Sequence, residues 1–261
     1  MMTYGRRVAS DTREEVIDLI GGPALAVRTS DGPLRPFLLV HDVGADAGAW
    51  AGVADRLAAA GHAVAAVDLR GHGHSERPDT GYDTDTCADD LSTLLDRLGF
   101  TGRRSPVVAG HGWGGNVVLS LAARRDGVAG VCCVAGGWIR PAWRYSSFEE
   151  CWSAFGDSAT GPDPEHRRSI VRSLYFGEPR AWYPLVKVPV VLCPVVPPDG
   201  RPDPSGDGAA TRTGVAEASA RLPRARVSWY YGGSDVLAAD PAGLADDLLA
   251  LAAAAEPQID E

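Results

Sequence analysis

Residues 106–120 read PVVAGHGWGGNVVLS. Val107–Ala109 is a short apolar run of the kind that forms a buried strand. Gly110-His111-Gly112-Trp113-Gly114-Gly115 turns the chain, and Asn116–Ala123 continues as an apolar helix. Gly110, Gly112 and Gly115 also match the G-x-G-x-x-G spacing of a dinucleotide-binding turn. This stretch alone therefore leaves two α/β readings open, and the residues on either side separate them.

Working outward, the same alternation recurs. Glu15–Ile20 and Ala24–Thr29 read as two strands around a Gly21-Gly22-Pro23 turn. Phe37–His41 is a continuous apolar run typical of a parallel strand buried on both faces, followed by a loop at Asp42 and a helix to about Ala60. Ala63–Val67 is another such strand, and a helix from about Thr84 to Leu98 leads into the central stretch. Beyond it, Val128–Val134, Val188–Val195 and Arg226–Tyr231 read as strands and Pro241–Ala254 as a final helix, with Pro197–Gly208 a Pro/Gly/Asp-rich loop. Strands alternating with helices imply a parallel sheet covered on both faces, with ligands beyond the carboxyl ends of its strands. Cys132 and Cys133, adjacent in one strand, are expected on opposite faces.

Strand, glycine-crowded turn and helix is the context of a nucleophile elbow, G-x-S-x-G, here with Gly112 in the serine's place. That position is strained, costing an ordinary residue roughly 1–3 kcal/mol, whereas glycine has no Cβ to penalise. The turn should therefore form, with Gly112 at positive φ and Trp113 opening the helix.

Two further motifs stand in the same order as in a known family. His41-Asp42-Val43-Gly44 resembles an H-G-x-G oxyanion loop, and Asp68-Leu69-Arg70-Gly71-His72-Gly73-His74-Ser75 resembles D-x-R-G-x-G-x-S. With Gly110–Gly115, they make the chain similar to the α/β-hydrolase superfamily, abhydrolase-1 type, over essentially its full length. The resemblance implies an α/β-hydrolase fold: a doubly wound, mostly parallel sheet in a single domain over 1–261, with a short helical lid inserted at about 138–183. Ten aromatic residues between Trp138 and Tyr183 suggest, as a group, the walls of an apolar ligand pocket, although each alone is more readily read as helical core packing.

Hydrolysis in that family needs a serine, a carboxylate and a histidine in that chain order. Besides Gly112 at the nucleophile position, Ser234 stands where relatives carry the histidine, and no histidine follows His166. Ala135 holds one of the two carboxylate positions, and Asp199 lies one residue beyond the other. The backbone donors of an oxyanion hole, Trp113 N–H and one from Asp42 or Val43, do not depend on side chains and can stabilise an enolate or alkoxide. Asp42 replaces the usual glycine and reads either as a general acid or base or as a loop-capping aspartate. The candidate catalytic groups are thus Asp42 and Asp199, and the candidate oxyanion and pocket residues are Asp42, Val43, Trp113 and Trp138. His41, His72 and His74 read as structural and His111 as packing beneath the elbow, and the sequence does not say which of them could be recruited. The implied function is a non-hydrolytic enzyme performing cyclisation, elimination or isomerisation on an apolar oxygenated metabolite. A ligand-binding pseudo-hydrolase and an active-site mutant of a hydrolase are the alternatives.

Bulk properties exclude other classes. The 261 residues are 45% hydrophobic, enough for a sizeable core, and carry a formal charge of −9. Without a basic stripe, nucleic acid and anionic membranes are not expected partners, and no apolar run approaches the ~20 residues of a membrane span. The N-terminus lacks the apolar core of a signal peptide, and five cysteines without metal-like spacing fit a reducing cytoplasm. No metal or cofactor is expected, and the oligomeric state is not legible.

Overall fold

Gly21-Gly22-Pro23 reverses the chain between β1 (Arg13–Asp18) and β2 (Ala24–Ser30), which pair antiparallel from Arg13↔Thr29 to Asp18↔Ala24. The computed structural model describes residues 12–155, 163–196, 207–222, 224–233 and 235–255. The apolar runs that follow are β3 (Leu34–Val40), β4 (His62–Val67), β5 (Val107–His111), β6 (Gly130–Val134) and β7 (Val190–Cys193). β2 joins β4 antiparallel, and β4, β3, β5, β6, β7 and β9 (Ala225–Val227) lie parallel, giving the order β1-β2-β4-β3-β5-β6-β7-β9.

Alternate residues of each strand feed two cores. On one face Leu38, Val40, Val108 and Cys133 meet α2 (Thr84–Arg97), α3 (Trp113–Arg124) and, further out, α5 (Pro164–Phe176). On the other, Phe37, Leu39, Ala109 and Cys132 meet α1 (Ala51–Ala59) and α8 (Pro241–Ala254). Each fully buried leucine or phenylalanine contributes roughly 1.5–3 kcal/mol, and the split places Cys132 and Cys133 on opposite faces as expected. The helix ends are set locally: the Asp83 side chain accepts from Thr86 N–H to start α2, and Asp240 accepts from Gly243 N–H, with Pro241 in the first turn, to start α8.

Two elements differ from the sequence reading. The last strand divides: β9 stays in the main sheet, while β10 (Tyr230–Tyr231) pairs parallel with the two-residue β8 (Val195–Val196). A helix unseen in the sequence, α6 (Asp207–Arg221), follows the loop assigned to 197–208, of which 197–206 lie outside the described residues. Its Ala, Thr and Gly content hides an apolar stripe, yet Val215, Ala218 and Leu222 fall at helical spacing and are buried. Between β6 and β7 lie α4 (Phe148–Phe155) and α5. The carboxyl ends of β3, β5 and β6 bring Asp42, Gly112 and Ala135 to one edge of the sheet.

Candidate active site

β5 ends at His111, Gly112 has φ 53° and ψ −120°, and α3 starts at Trp113. This left-handed conformation is the reason for glycine at 112. A second glycine serves close approach: a Cβ on Gly136, in the loop after β6, would overlap the Gly112 carbonyl. The neighbouring Ala135 carries a positive φ of 49° without being glycine, and its N–H donates to Cys193 O at 2.9 Å, which ties the β6 loop to β7. Such strained residues persist only where their surroundings over-determine them.

Asp42 occupies the centre of this edge. Its Oδ1 accepts from Trp113 N–H at 2.7 Å and from its neighbour Val43 N–H at 2.8 Å. A Cβ built on Gly112 would lie less than 3.0 Å from Cγ and both carboxylate oxygens of Asp42. The carboxylate therefore fills the space that a side chain at 112 would take, and it bonds the Trp113 amide and that of Val43, one of the two that the sequence reading offered as the second oxyanion donor. The Trp113 amide, expected to face a ligand oxygen, is instead taken by Asp42. Among the described residues Oδ2 accepts no hydrogen bond.

The surrounding histidines fall into two kinds. His41 is fully buried: Leu69 N–H donates to its Nε2 at 3.0 Å, so Nδ1 carries the proton and donates to Asp42 O at 2.7 Å. Burial lowers its pKa to about 4, against the opposing hydrogen bond to the Asp42 carbonyl. His72, also buried, lies 3.0 Å through Nδ1 from Arg70 O and 4.9 Å ring to ring from His41, and burial lowers its pKa to about 3. Both are neutral structural groups. Trp113 packs 5.9 Å from the His72 ring, and its Nε1–H donates to Thr84 Oγ1 at 3.2 Å. His111 is half-buried. Burial lowers its pKa, while the charges of Asp42 and Asp235 act in the opposite sense. Arg70, from the loop after β4, forms a two-bond buried pair with Asp90 of α2, 2.6 Å at each contact, which fastens that loop to the helix.

Comparison with known proteins agrees with this fold. A family model described as serine aminopeptidase, S33, matches residues 33–159. The AB hydrolase superfamily protein YisY of Bacillus subtilis is 32% identical over 93 residues, 36% of this chain and 34% of its own length. A soluble epoxide hydrolase of Corynebacterium is 39% identical over 87 residues, 33% of this chain and 29% of its own. The chain thus spans about a third of the length of these curated relatives. The structure of a bromoperoxidase from Bacillus anthracis superposes with a TM-score of 0.73 at 18% identity, over 92% of this chain and 99% of that one, which shows the shared fold. The chain has the α/β-hydrolase fold, and the family match over residues 33–159 spans the elbow.

Other candidate positions of this α/β-hydrolase fold lie apart from the elbow or outside the described residues. Asp199 and Ser234 are among the latter. Trp138 is only 5% exposed and belongs to the same core cluster as Tyr183. The aromatic segment mostly packs on itself: Phe148 meets Tyr175 at 6.0 Å and Phe176 at 6.1 Å, with the Arg168 guanidinium 4.8 Å over the Phe148 ring. A cavity of about 380 Å³ lies between the α2 N-terminus and the end of α5, lined by Thr84, Asn116, Ser173, Leu174 and Trp182 among others, and so touches the residue to which Trp113 Nε1–H donates. Asp42 as a bonded occupant of the elbow was not legible in sequence. The only signal was an aspartate where the loop motif has glycine, paired with a glycine where the elbow has a side chain. Among the described residues no group of three or more His, Cys, Asp or Glu is arranged to hold a metal ion, and no helix is long and apolar enough to cross a membrane.

Proposed function

We propose that this chain is a non-hydrolytic member of its superfamily, in which Asp42 performs acid–base chemistry on an apolar, oxygenated small molecule. One observation carries the reading: the Asp42 carboxylate stands in the place of the nucleophile side chain and takes both elbow amides for itself. Acyl transfer through a serine has no nucleophile at Gly112, no histidine follows His166 to act as its base, and the amides that would receive a tetrahedral oxyanion already hold an anion's oxygen. What stays available is Oδ2, a base held rigidly through its partner oxygen. Such a base fits reactions that move one proton: an elimination, an isomerisation through an enol, or a ring closure by a substrate hydroxyl. A serine simply removed from a working elbow is disfavoured, because its Cβ would overlap Asp42. The five free thiols, all buried, support a reducing cytoplasm as its compartment.

The test uses two chromogenic probes. Aryl esters should show no catalysed hydrolysis. Nitrobenzisoxazole should undergo elimination: a carboxylate takes the ring C–H proton, the N–O bond breaks, and a nitrile and a phenolate form. Asp42→Asn should abolish that rate with the fold intact. Binding without turnover is the second reading, favoured by the saturation of both amides. It predicts no elimination in the wild type and recovery of a bound ligand chemically unchanged by mass spectrometry.

A further inference from the structure

Six histidines occur in the chain, and their surroundings single out one. His41 and His72 are buried and neutral down to low pH. His62 Nδ1 lies 2.7 Å from Arg35 O, on the far end of β4, and His166 pairs with Asp163 at 2.7 Å and stacks on Tyr82 at 4.0 Å. His74 sits in the loop after β4, where its backbone N–H donates to Asp68. His111 differs from all five. It immediately precedes Gly112, and so adjoins the carboxylate that fills the Gly112 Cβ position. Strand alternation puts it on the face of Val107 and Ala109, the side of α8 and of the short helix α7 (Val236–Ala239). Asp235 is the N-cap residue of α7, yet its side chain makes no capping bond. Among the described residues the His111 ring makes no hydrogen bond, and it is half-buried with access to water.

Resting on the acid–base reading of Asp42, we infer that His111, next to the elbow glycine and open to water, is its proton-relay partner. Asp42 Oδ2 takes the proton from the ligand carbon or hydroxyl, and the bonding pair stays with the ligand, where it expels a leaving group or closes a ring. The proton passes from Oδ2 through a solvent molecule to a ring nitrogen of His111 and from there to bulk water, so that the carboxylate is restored without any other reactant. A neutral imidazole is needed to accept it, and burial keeps the ring in that form at neutral pH. Asp235 then stabilises the transient imidazolium. The titratable groups facing the ring are Asp42 and Asp235, whose charges favour its protonation, and His41, which opposes it.

The experiment has two arms on the full chain. Imidazole resonances of His111, followed by NMR against pH, should titrate below 6.5. Asp42→Asn and Asp235→Asn should each lower the midpoint further, by at least ~0.3 pH unit, because each removes a negative charge that favours the imidazolium. Asp31→Asn, on the opposite edge of the sheet, should leave it unchanged. In the second arm, His111→Gln should slow nitrobenzisoxazole elimination at least about tenfold, less than the roughly 10²–10⁴ of a group that itself takes the substrate proton, and should remove one inflection from the pH–rate profile. A midpoint indifferent to both carboxylates overturns the relay, as does an Asp42-dependent elimination whose rate and pH profile survive His111→Gln. Elimination that persists in Asp42→Asn overturns the acid–base reading itself, which keeps the two failures distinct.

Discussion

Gly112 and Asp42 compete for one volume, so their substitutions must be coupled. Placing a methyl group at 112 has two costs. The backbone at φ 53°, ψ −120° is strained for any residue with a Cβ, by roughly 1–3 kcal/mol. The new Cβ also overlaps the Asp42 carboxylate, which must leave and give up its bonds to Trp113 N–H and Val43 N–H. Hydrogen bonds to a charged group contribute about 1.5–3 kcal/mol each, and water recovers part of this at a half-buried position, so eviction costs about 2–4 kcal/mol. Gly112→Ala should therefore destabilise by about 3–7 kcal/mol. Asp42→Gly alone should cost about 1–3 kcal/mol for the lost bonds. In the double variant nothing remains to evict, so the two single costs should exceed the double cost by the eviction cost, about 2–4 kcal/mol. Urea unfolding of the four proteins measures this directly. Additivity within about 0.5 kcal/mol, the behaviour of independent sites, would refute the shared-volume argument. The same reasoning predicts that Gly112→Ser gains no esterase activity, since its hydroxyl enters an occupied site.

Two further outcomes follow from buried groups. Folded-state pKa values of about 4 for His41 and about 3 for His72 lie below the ordinary 6.5, so the unfolded chain binds two more protons than the folded one below that pH. Stability is then full above pH 6.5 and falls as pH drops, by about 2–3 kcal/mol between pH 7 and pH 5.5, and equilibrium unfolding at the two pH values checks it. The Arg70–Asp90 pair is 9% and 7% exposed at its side chains, and breaking such a pair from one side leaves a buried charge. Asp90→Ala should cost about 3–5 kcal/mol, while the apolar double variant Arg70→Met, Asp90→Leu should recover most of that loss, as read by shifts in the urea midpoint.

The architecture was legible because its signals are local. Phe37–Val40 and Val107–Ala109 are too apolar for anything but a sheet covered on both faces, and Gly112 before an apolar helix announces the elbow whatever side chain is absent. The hidden parts depend on contacts between distant residues. α6 escaped because Ala, Thr and Gly residues surround Val215 and Ala218, leaving a weak stripe. Trp138 and Phe148 read as pocket walls because an aromatic residue carries the same letter in a core as in a cleft; only burial tells them apart. Asp42 could be recognised as an oddity in its loop, but no spacing rule says that its carboxylate reaches 71 positions along the chain to the Trp113 amide. That meeting arises from β3 and β5 lying side by side, Val40 opposite Gly110, a consequence of topology.

The claim on which the account turns is that Asp42, and no outside oxygen, holds the elbow amides. The Trp113 backbone amide proton reports it. Donating to a carboxylate oxygen at 2.7 Å, that proton should resonate far downfield, exchange slowly, and move upfield when Asp42→Asn replaces the charged acceptor. A Trp113 amide at an ordinary shift, exchanging freely and unmoved by Asp42→Asn, would contradict the account.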